Sequence, residues 1–430
     1  MSEGGALATA EAALQVDRGV LDNGMTVLVA ERRGLPMVAL KLVLRAGAVA
    51  EPADRPGLAT LTAQLLLQGT STRSAEQIAE AVDQLGGAFT VTAQHDVVAV
   101  ELAVLKQDLP TALDLLADVL LRPAFHPDEI ARKVKQLQAY LLRLEEQPRA
   151  VARRTFNELL FGPHPYGRPL EGTQEGLARI TEADVRDFYR RLYTPRGAIL
   201  AASGEITRAE LVDALRPRLA SWQPAPAGPP PIPAPRPPQG RVVKVINRDL
   251  QQANIVMGHL GLPRTDPDYE AVSVMNYILG GGGFASRLMQ VIRERGGLAY
   301  SVRSGFDGGL LHGAFRVEMQ TQNPTANRAV ELALQEIERM RTTPVAEQDL
   351  EEGRAFLIGS FPQRLSSNGR IVDFLTDVEL YGLGLDYAEQ YPRRLRALTR
   401  EEIQRVAAKY LHPQDIVLVV VADEGKAQLR

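Results

Sequence analysis

The segment ITEADVRDFYRRLYTPRGAILAASGE, starting at Ile180, returns as LTREEIQRVAAKYLHPQDIVLVVVAD from Leu398, 218 residues later. Each copy reads as a capped helix, a turn through Pro195 or Pro413, and an apolar strand. A second pair, DLPTALDLLADVLLRPAFHPDEI and NPTANRAVELALQEIERMRTTPVAEQDL, gives a long amphipathic helix, a short turn and a second helix start at nearly the same offset. A chain that repeats itself this way is a duplicated domain. Between the copies lies WQPAPAGPPPIPAPRPPQG, residues 222–240, whose proline density forbids helix or central strand and favours an extended tether. The expected organisation is an N-terminal domain over 1–221, a proline-rich linker over 222–240 and a homologous C-terminal domain over 241–430.

Each half opens on strand-like alternation, as in MTVLVAERRGLPMVALKLVLRAG and RVVKVINRDLQQANIVMGHLGL, passes through helices and returns to strand. Without regular β-α-β alternation, this predicts α+β domains with helices packed on a mainly antiparallel sheet. A net charge of −3 over 430 residues gives no basic field for nucleic acid or anionic membrane. The absence of cysteine excludes disulfides, thiolate metal sites and cysteine nucleophiles. No apolar run reaches the roughly 18 residues of a membrane span. The N-terminal MSEGGALATAEAALQVD carries acids where a signal peptide has basic residues. The sequence as it stands suits the cytoplasm, and the periplasm if a leader has been removed.

Six segments, LDNGMTVLVAE, RPGLATLTAQLLLQGT, FHPDEI, HPYGRPLEGT, YTPRGAILAASGEI and GGGGFASRLMQVIRERGGLAYSV, occur in an order that resembles the landmarks of the pitrilysin-type zinc metallopeptidases, in the branch that includes mitochondrial processing peptidase. The resemblance implies a clam-shell of two homologous α+β domains, usually paired with a second chain. In active members the helix in the second segment carries H-x-x-E-H, followed about 76 residues later by a glutamate ligand. Histidines at i and i+4 share a helix face and both reach one Zn²⁺, while the glutamate activates the metal-bound water. Here those positions fall on Thr60, Ala63 and Gln64, none a zinc ligand or base. The distal ligand would fall near Tyr140 or Leu141, and no carboxylate lies closer than Glu145. The six histidines are scattered, no two within a helical turn. No metal is expected in this chain.

The resemblance also marks substrate contacts. The family places Asn-Ala on an edge strand that pairs with extended substrate; here LGGAFTVTAQHDV puts Thr90 and Val91 there, flanked by Phe89 and Thr92. The glycine run at 280–283 follows an apolar helix rather than a strand and precedes no G-K-[ST], so it is no phosphate loop. It reads as a helix C-cap and close-packed loop, and in the family Gly282 and Gly283 resemble a loop proposed to gate an internal chamber. Arg293 and Tyr300, in RERGGLAY, match the arginine and tyrosine that active members direct at the scissile peptide. A guanidinium and a phenol suit the holding of a carbonyl and its developing oxyanion. Arg287 reads either as a supporting contact or as a salt bridge to the adjacent helix.

The zinc half of the site is replaced while the arginine–tyrosine half is kept. The expectation is a non-catalytic, substrate-binding subunit, inactive alone, of a bacterial heterodimeric zinc peptidase whose partner carries H-x-x-E-H and the zinc. The alternatives are a structural, peptidase-like scaffold protein or a homodimeric peptide-binding protein.

Overall fold

The computed structural model describes residues 14–225 and 231–427. Residues 226–230 of the expected linker, and residues 1–13 of the segment weighed above as a leader, lie outside the described residues.

Two sheets repeat one topology. In the first half, β1 (Asp17–Val20), β2 (Thr26–Glu31), β3 (Met37–Leu44), β4 (Ala88–Ala93), β5 (Val98–Leu105) and β6 (Ile199–Gly204) lie in the order β1-β2-β6-β3-β5-β4. In the second, β7 (Val242–Asn247), β8 (Gln252–Leu260), β9 (Ala299–Phe306), β10 (Ala314–Gln322) and β11 (Val417–Ala422) lie in the order β7-β11-β8-β10-β9. Without β1 the two orders coincide. The last strand of each half inserts centrally, parallel to β2 or β7 and antiparallel to β3 or β8. The fold is therefore α+β, in two homologous and mainly antiparallel halves.

The long repeat explains those inserted strands. Helices Glu182–Leu192 and Arg400–Tyr410 lead into β6 and β11 at the same 218-residue offset. Each begins at a threonine, Thr181 or Thr399, in a reciprocal capping box with Asp184 or Glu402. Such a cap is worth about 1 kcal/mol.

The halves interlock. Every residue of β6 and of β11 is buried, because each strand is covered on both faces. Leu200 and Ala202 pack in the core of their own half, whereas Ile199 and Ala201 join the core containing Ile371 and Leu375. Those two residues belong to helix Asn368–Leu380 of the second half, which lies across β6 and β3. Reciprocally, helix Pro148–Phe161 of the first half lies across β11 and β8, and its Val151, Phe156 and Leu160 pack with Val417, Val419 and Val421. Burying each such side chain contributes about 1.5–3 kcal/mol. Ion pairs Lys41–Asp373 (2.6 Å) and Arg18–Glu379 (2.7 Å) border the first of these contacts.

The described parts of the proline-rich stretch are tied down rather than free. Trp222 Nε1 donates to the Tyr193 carbonyl at 3.0 Å, the Ala225 amide donates to Thr194 Oγ1 at 2.9 Å, and His164 Nε2 donates to the Pro233 carbonyl at 3.0 Å. These three contacts hold the described parts of the stretch against the first half.

Candidate functional site

Helix Leu58–Leu65 starts after Gly57, whose φ of 98° is a left-handed conformation suited to glycine. Its first amides are capped by Glu51, whose Oε1 accepts from Ala59 N at 2.7 Å and from Gly57 N at 3.2 Å. Burial raises the Glu51 carboxyl to about 8, against the opposing pull of those amides and of the Arg168 charge.

The three positions along this helix do not fit a zinc ion. Thr60 is held by its own hydrogen bond, Oγ1 donating to the Leu170 carbonyl at 2.6 Å. Ala63 is buried and offers a methyl group, and Gln64 offers a half-buried neutral amide. On the adjacent helix Pro127–Glu145, Leu141 is buried and Tyr140 is partly exposed. Glu145 is bound up with Arg154 and Arg248. Among the described residues, no three histidine, aspartate or glutamate side chains come together as a metal would require.

Four of the six scattered histidines come together in the fold, through aromatic packing. His95 and His164 both pack on Tyr166, with ring centroids 5.2 Å away. His259 lies 5.0 Å from His412. His259 Nδ1 donates to the Leu260 carbonyl at 2.9 Å while Nε2 accepts the His412 amide at 3.0 Å, so the neutral ring uses both nitrogens. Burial holds this imidazole down at about 3.

β4, which carries Phe89, Thr90, Val91 and Thr92, is an edge strand beside helix Leu58–Leu65. Phe89 is buried, Val91 is half-buried, and Thr90 and Thr92 are exposed. Its inner side is laddered to β5, and among the described residues no strand pairs with its outer side. An open edge of this kind can accept an extended peptide by backbone pairing. Gly87 precedes it because a Cβ there would sit 2.0 Å from the Ala103 carbonyl oxygen.

In the second half, helix Tyr269–Asn276 runs into a π-helical turn at Tyr277–Gly281, followed by the glycine loop. A Cβ on Gly280 would come within 2.5 Å of Ser304 Oγ, and one on Gly282 within 2.8 Å of the Tyr277 carbonyl oxygen. Gly283 instead has φ +58° in open space. The expected helix after the loop is wound over Met289–Arg295 as a π-helix, a form that recurs at functional sites. Arg287 is committed to Asp349 at 3.1 Å and anchors helix Glu347–Ser360; of the two readings of this residue, the geometry supports the salt bridge.

Arg293 and Tyr300 come together. The Arg293 guanidinium lies 4.9 Å from the Tyr300 ring centroid and 4.7 Å from that of Phe284, held between two aromatic faces. Tyr300 is 81% exposed and Phe284 64%. Along β9, Ala299 pairs with Thr321 and Ser301 with Gln320, so Tyr300 is the extra residue of a β-bulge. Bulges redirect side chains at sheet edges, and β9 is an edge strand. The bulge therefore turns the phenol outward, beside Arg293.

Two clusters had no sequence signal joining their parts. Tyr166 Oη donates to Asp96 Oδ1 at 2.7 Å and accepts from the Leu311 amide at 3.2 Å, while Asp96 also accepts from the Leu310 amide at 3.0 Å. This clasp joins the two halves. Nearby, Arg149, Arg153 and Arg303 all donate to Glu318 at 2.7–3.0 Å. Burial would raise the Glu318 carboxyl, but these guanidiniums bring it down to about 2.

Residues 26–174 match the family model described as insulinase (peptidase family M16), and residues 179–357 match that of the peptidase M16 inactive domain. An uncharacterized zinc protease of Mycobacterium tuberculosis is 32% identical over 301 residues, covering 69% of this chain and 68% of its own length. The non-peptidase homolog YmxG of Helicobacter pylori is 25% identical over 416 residues, covering 93% and 92%. The crystal structure of a peptidase M16 inactive domain from Pseudomonas fluorescens superposes with a TM-score of 0.89 at 29% identity, over 95% of this chain and 98% of that one. The chain belongs to peptidase family M16, as a homologue of its inactive domain.

Proposed function

We propose that this chain is the non-catalytic, substrate-binding subunit of a heterodimeric zinc peptidase, lending Arg293 and Tyr300 to a homologous partner that carries H-x-x-E-H and the zinc. The carrying observation is the bulge that presents Tyr300 at 81% exposure against Arg293, in a chain that carries threonine, alanine and glutamine at positions 60, 63 and 64 in place of two histidines and a glutamate. A phenol buried for packing would be hidden; this one is aimed at solvent from an edge strand. Its hydroxyl and the Arg293 N–H groups are donors suited to a substrate carbonyl and to the oxyanion formed on attack in the partner's site. The open edge of β4 adds a second place where an extended peptide is held against the chamber wall.

The test uses the one-to-one complex obtained by co-expression with a homologue carrying H-x-x-E-H. Arg293→Ala with Tyr300→Phe should lower peptide turnover on the order of a hundredfold to a thousandfold, the usual cost of losing an oxyanion donor, with zinc content and assembly intact. Arg295→Ala, exposed two residues away, should be close to silent. A double-variant complex that cleaves at the unmutated rate would reduce this chain's role to scaffolding, and a chain that forms no complex would end the subunit reading.

A further inference from the structure

A cavity of about 880 Å³ lies between the two halves. Its walls come from helix Pro148–Phe161, the β4–β5 turn, the segment after Tyr166, and β9 with β10. Arg149 and Arg153, four residues apart and so on one helix face, reach it from the first half. Arg303 and Arg316 reach it from the second. Arg316 is neutralised by Asp307. The other three guanidiniums share the single carboxylate of Glu318, the cross-strand neighbour of Arg303. Three positive charges against one negative leave a surplus of two.

The donors are not used up either. Glu318 engages Nη2 of Arg149, Nε and Nη2 of Arg153, and Nη2 of Arg303. The Nε and Nη1 of Arg149 and Arg303 and the Nη1 of Arg153 have no partner among the described residues. The three side chains remain 43–59% exposed. One buried carboxylate thus holds three guanidiniums in place while their outer edges face the cavity, a preorganised receptor for planar anions.

We propose that this cavity binds the carboxylates of an acidic peptide segment, so that the chain selects acidic peptides. The inference rests on the reading that peptide is held by this chain, and it names the class. A peptide is favoured over a small anion by the surroundings. Arg303 follows Tyr300 by three residues on the same edge strand, roughly 10 Å at about 3.3 Å per residue. An extended peptide with a carbonyl at Tyr300 would set an acidic side chain about three residues away at the arginine cluster.

Fluorescence anisotropy on the full-length chain alone tests this. The probes are a labelled twelve-residue peptide rich in Asp and Glu, its Asn/Gln counterpart, and inorganic phosphate as competitor. The acidic peptide should bind at least tenfold tighter than its amide counterpart, with the preference shrinking as salt rises from 50 to 500 mM. Arg149→Gln with Arg303→Gln should cut that preference about tenfold or more, since Arg153 still satisfies Glu318 and the fold is kept. The single change Arg149→Gln serves if the double variant melts early, and should cut it about threefold or more. Equal binding of the two peptides, or a preference unchanged in the variants, overturns the proposal. So does displacement of the acidic peptide by phosphate at equal carboxylate and phosphate concentration, which would mean a site for small anions. These results need no partner, so their failure is separate from failure of the subunit reading, which the complex alone decides.

Discussion

Replacing Phe156 by alanine probes whether the exchanged helices make the two halves one cooperative unit. Phe156 is wholly buried, in a helix of the first half packed on the second sheet with Val417, Val419 and Val421. Truncating such a phenylalanine costs about 3–5 kcal/mol. Unfolding entropy near the midpoint is about 2.1 cal/mol/K per residue. If all 430 residues unfold together, that amounts to about 0.9 kcal/mol/K, and Tm should fall by roughly 3–6 °C in a single transition. If residues 1–221 unfolded on their own, the entropy would be about half as large, and one of two transitions would fall by roughly 6–11 °C while the other stayed still. Scanning calorimetry of the wild-type chain and the variant separates these patterns. Two transitions, one unmoved, would refute the claim that the halves share their cores.

The Glu51 carboxyl, at about 8 in the folded chain against an ordinary 4.5, stabilises fully below pH 4.5 and loses that contribution as pH rises through 8. Glu51→Gln should therefore flatten the decline in Tm between pH 6 and 8.5, whereas Glu51→Ala, which strands the amides of Gly57 and Ala59, should lower Tm at both values. His259 runs the other way: its folded value of about 3 lies below the ordinary 6.5, so its contribution is complete above pH 6.5 and fades as pH falls toward 3. Acid unfolding followed by circular dichroism should begin at lower pH in His259→Gln than in wild type, once corrected for the stability each has at pH 7. Finally, Thr60→His, Ala63→Glu and Gln64→His together should still hold less than one zinc per chain after dialysis, because the distal position offers Tyr140 and Leu141 and no carboxylate; elemental analysis checks it.

The duplication was legible because it is local text repeated: caps at Thr181 and Thr399 and the apolar runs of β6 and β11 sit at one offset. The neighbourhood of Arg293 and Tyr300 was legible too, since Gly296 and Gly297 end one helical element and β9 starts at Ala299, which keeps two side chains seven residues apart within reach of each other. What turns Tyr300 outward was hidden, because the bulge is defined only against Thr321 and Gln320 on another strand. The i,i+4 spacing of Arg149 and Arg153 announces a shared helix face. Nothing in it announces Glu318, 165 residues beyond Arg153. The same limit concealed the exchanged helices: an apolar helix face declares that it will be covered, and not by what.

That exchange has a consequence during synthesis. Strands β6 and β3 need helix Asn368–Leu380 to cover the face bearing Ile199 and Ala201. The ribosome must add 380 − 204 = 176 residues after β6 ends before that helix is complete. At about 5–20 residues per second, this takes roughly 9–35 s. For that interval the finished first sheet waits with an apolar surface bare, long enough to engage chaperones or to aggregate with another nascent chain. A message truncated between the halves would release a product that stays in this state permanently.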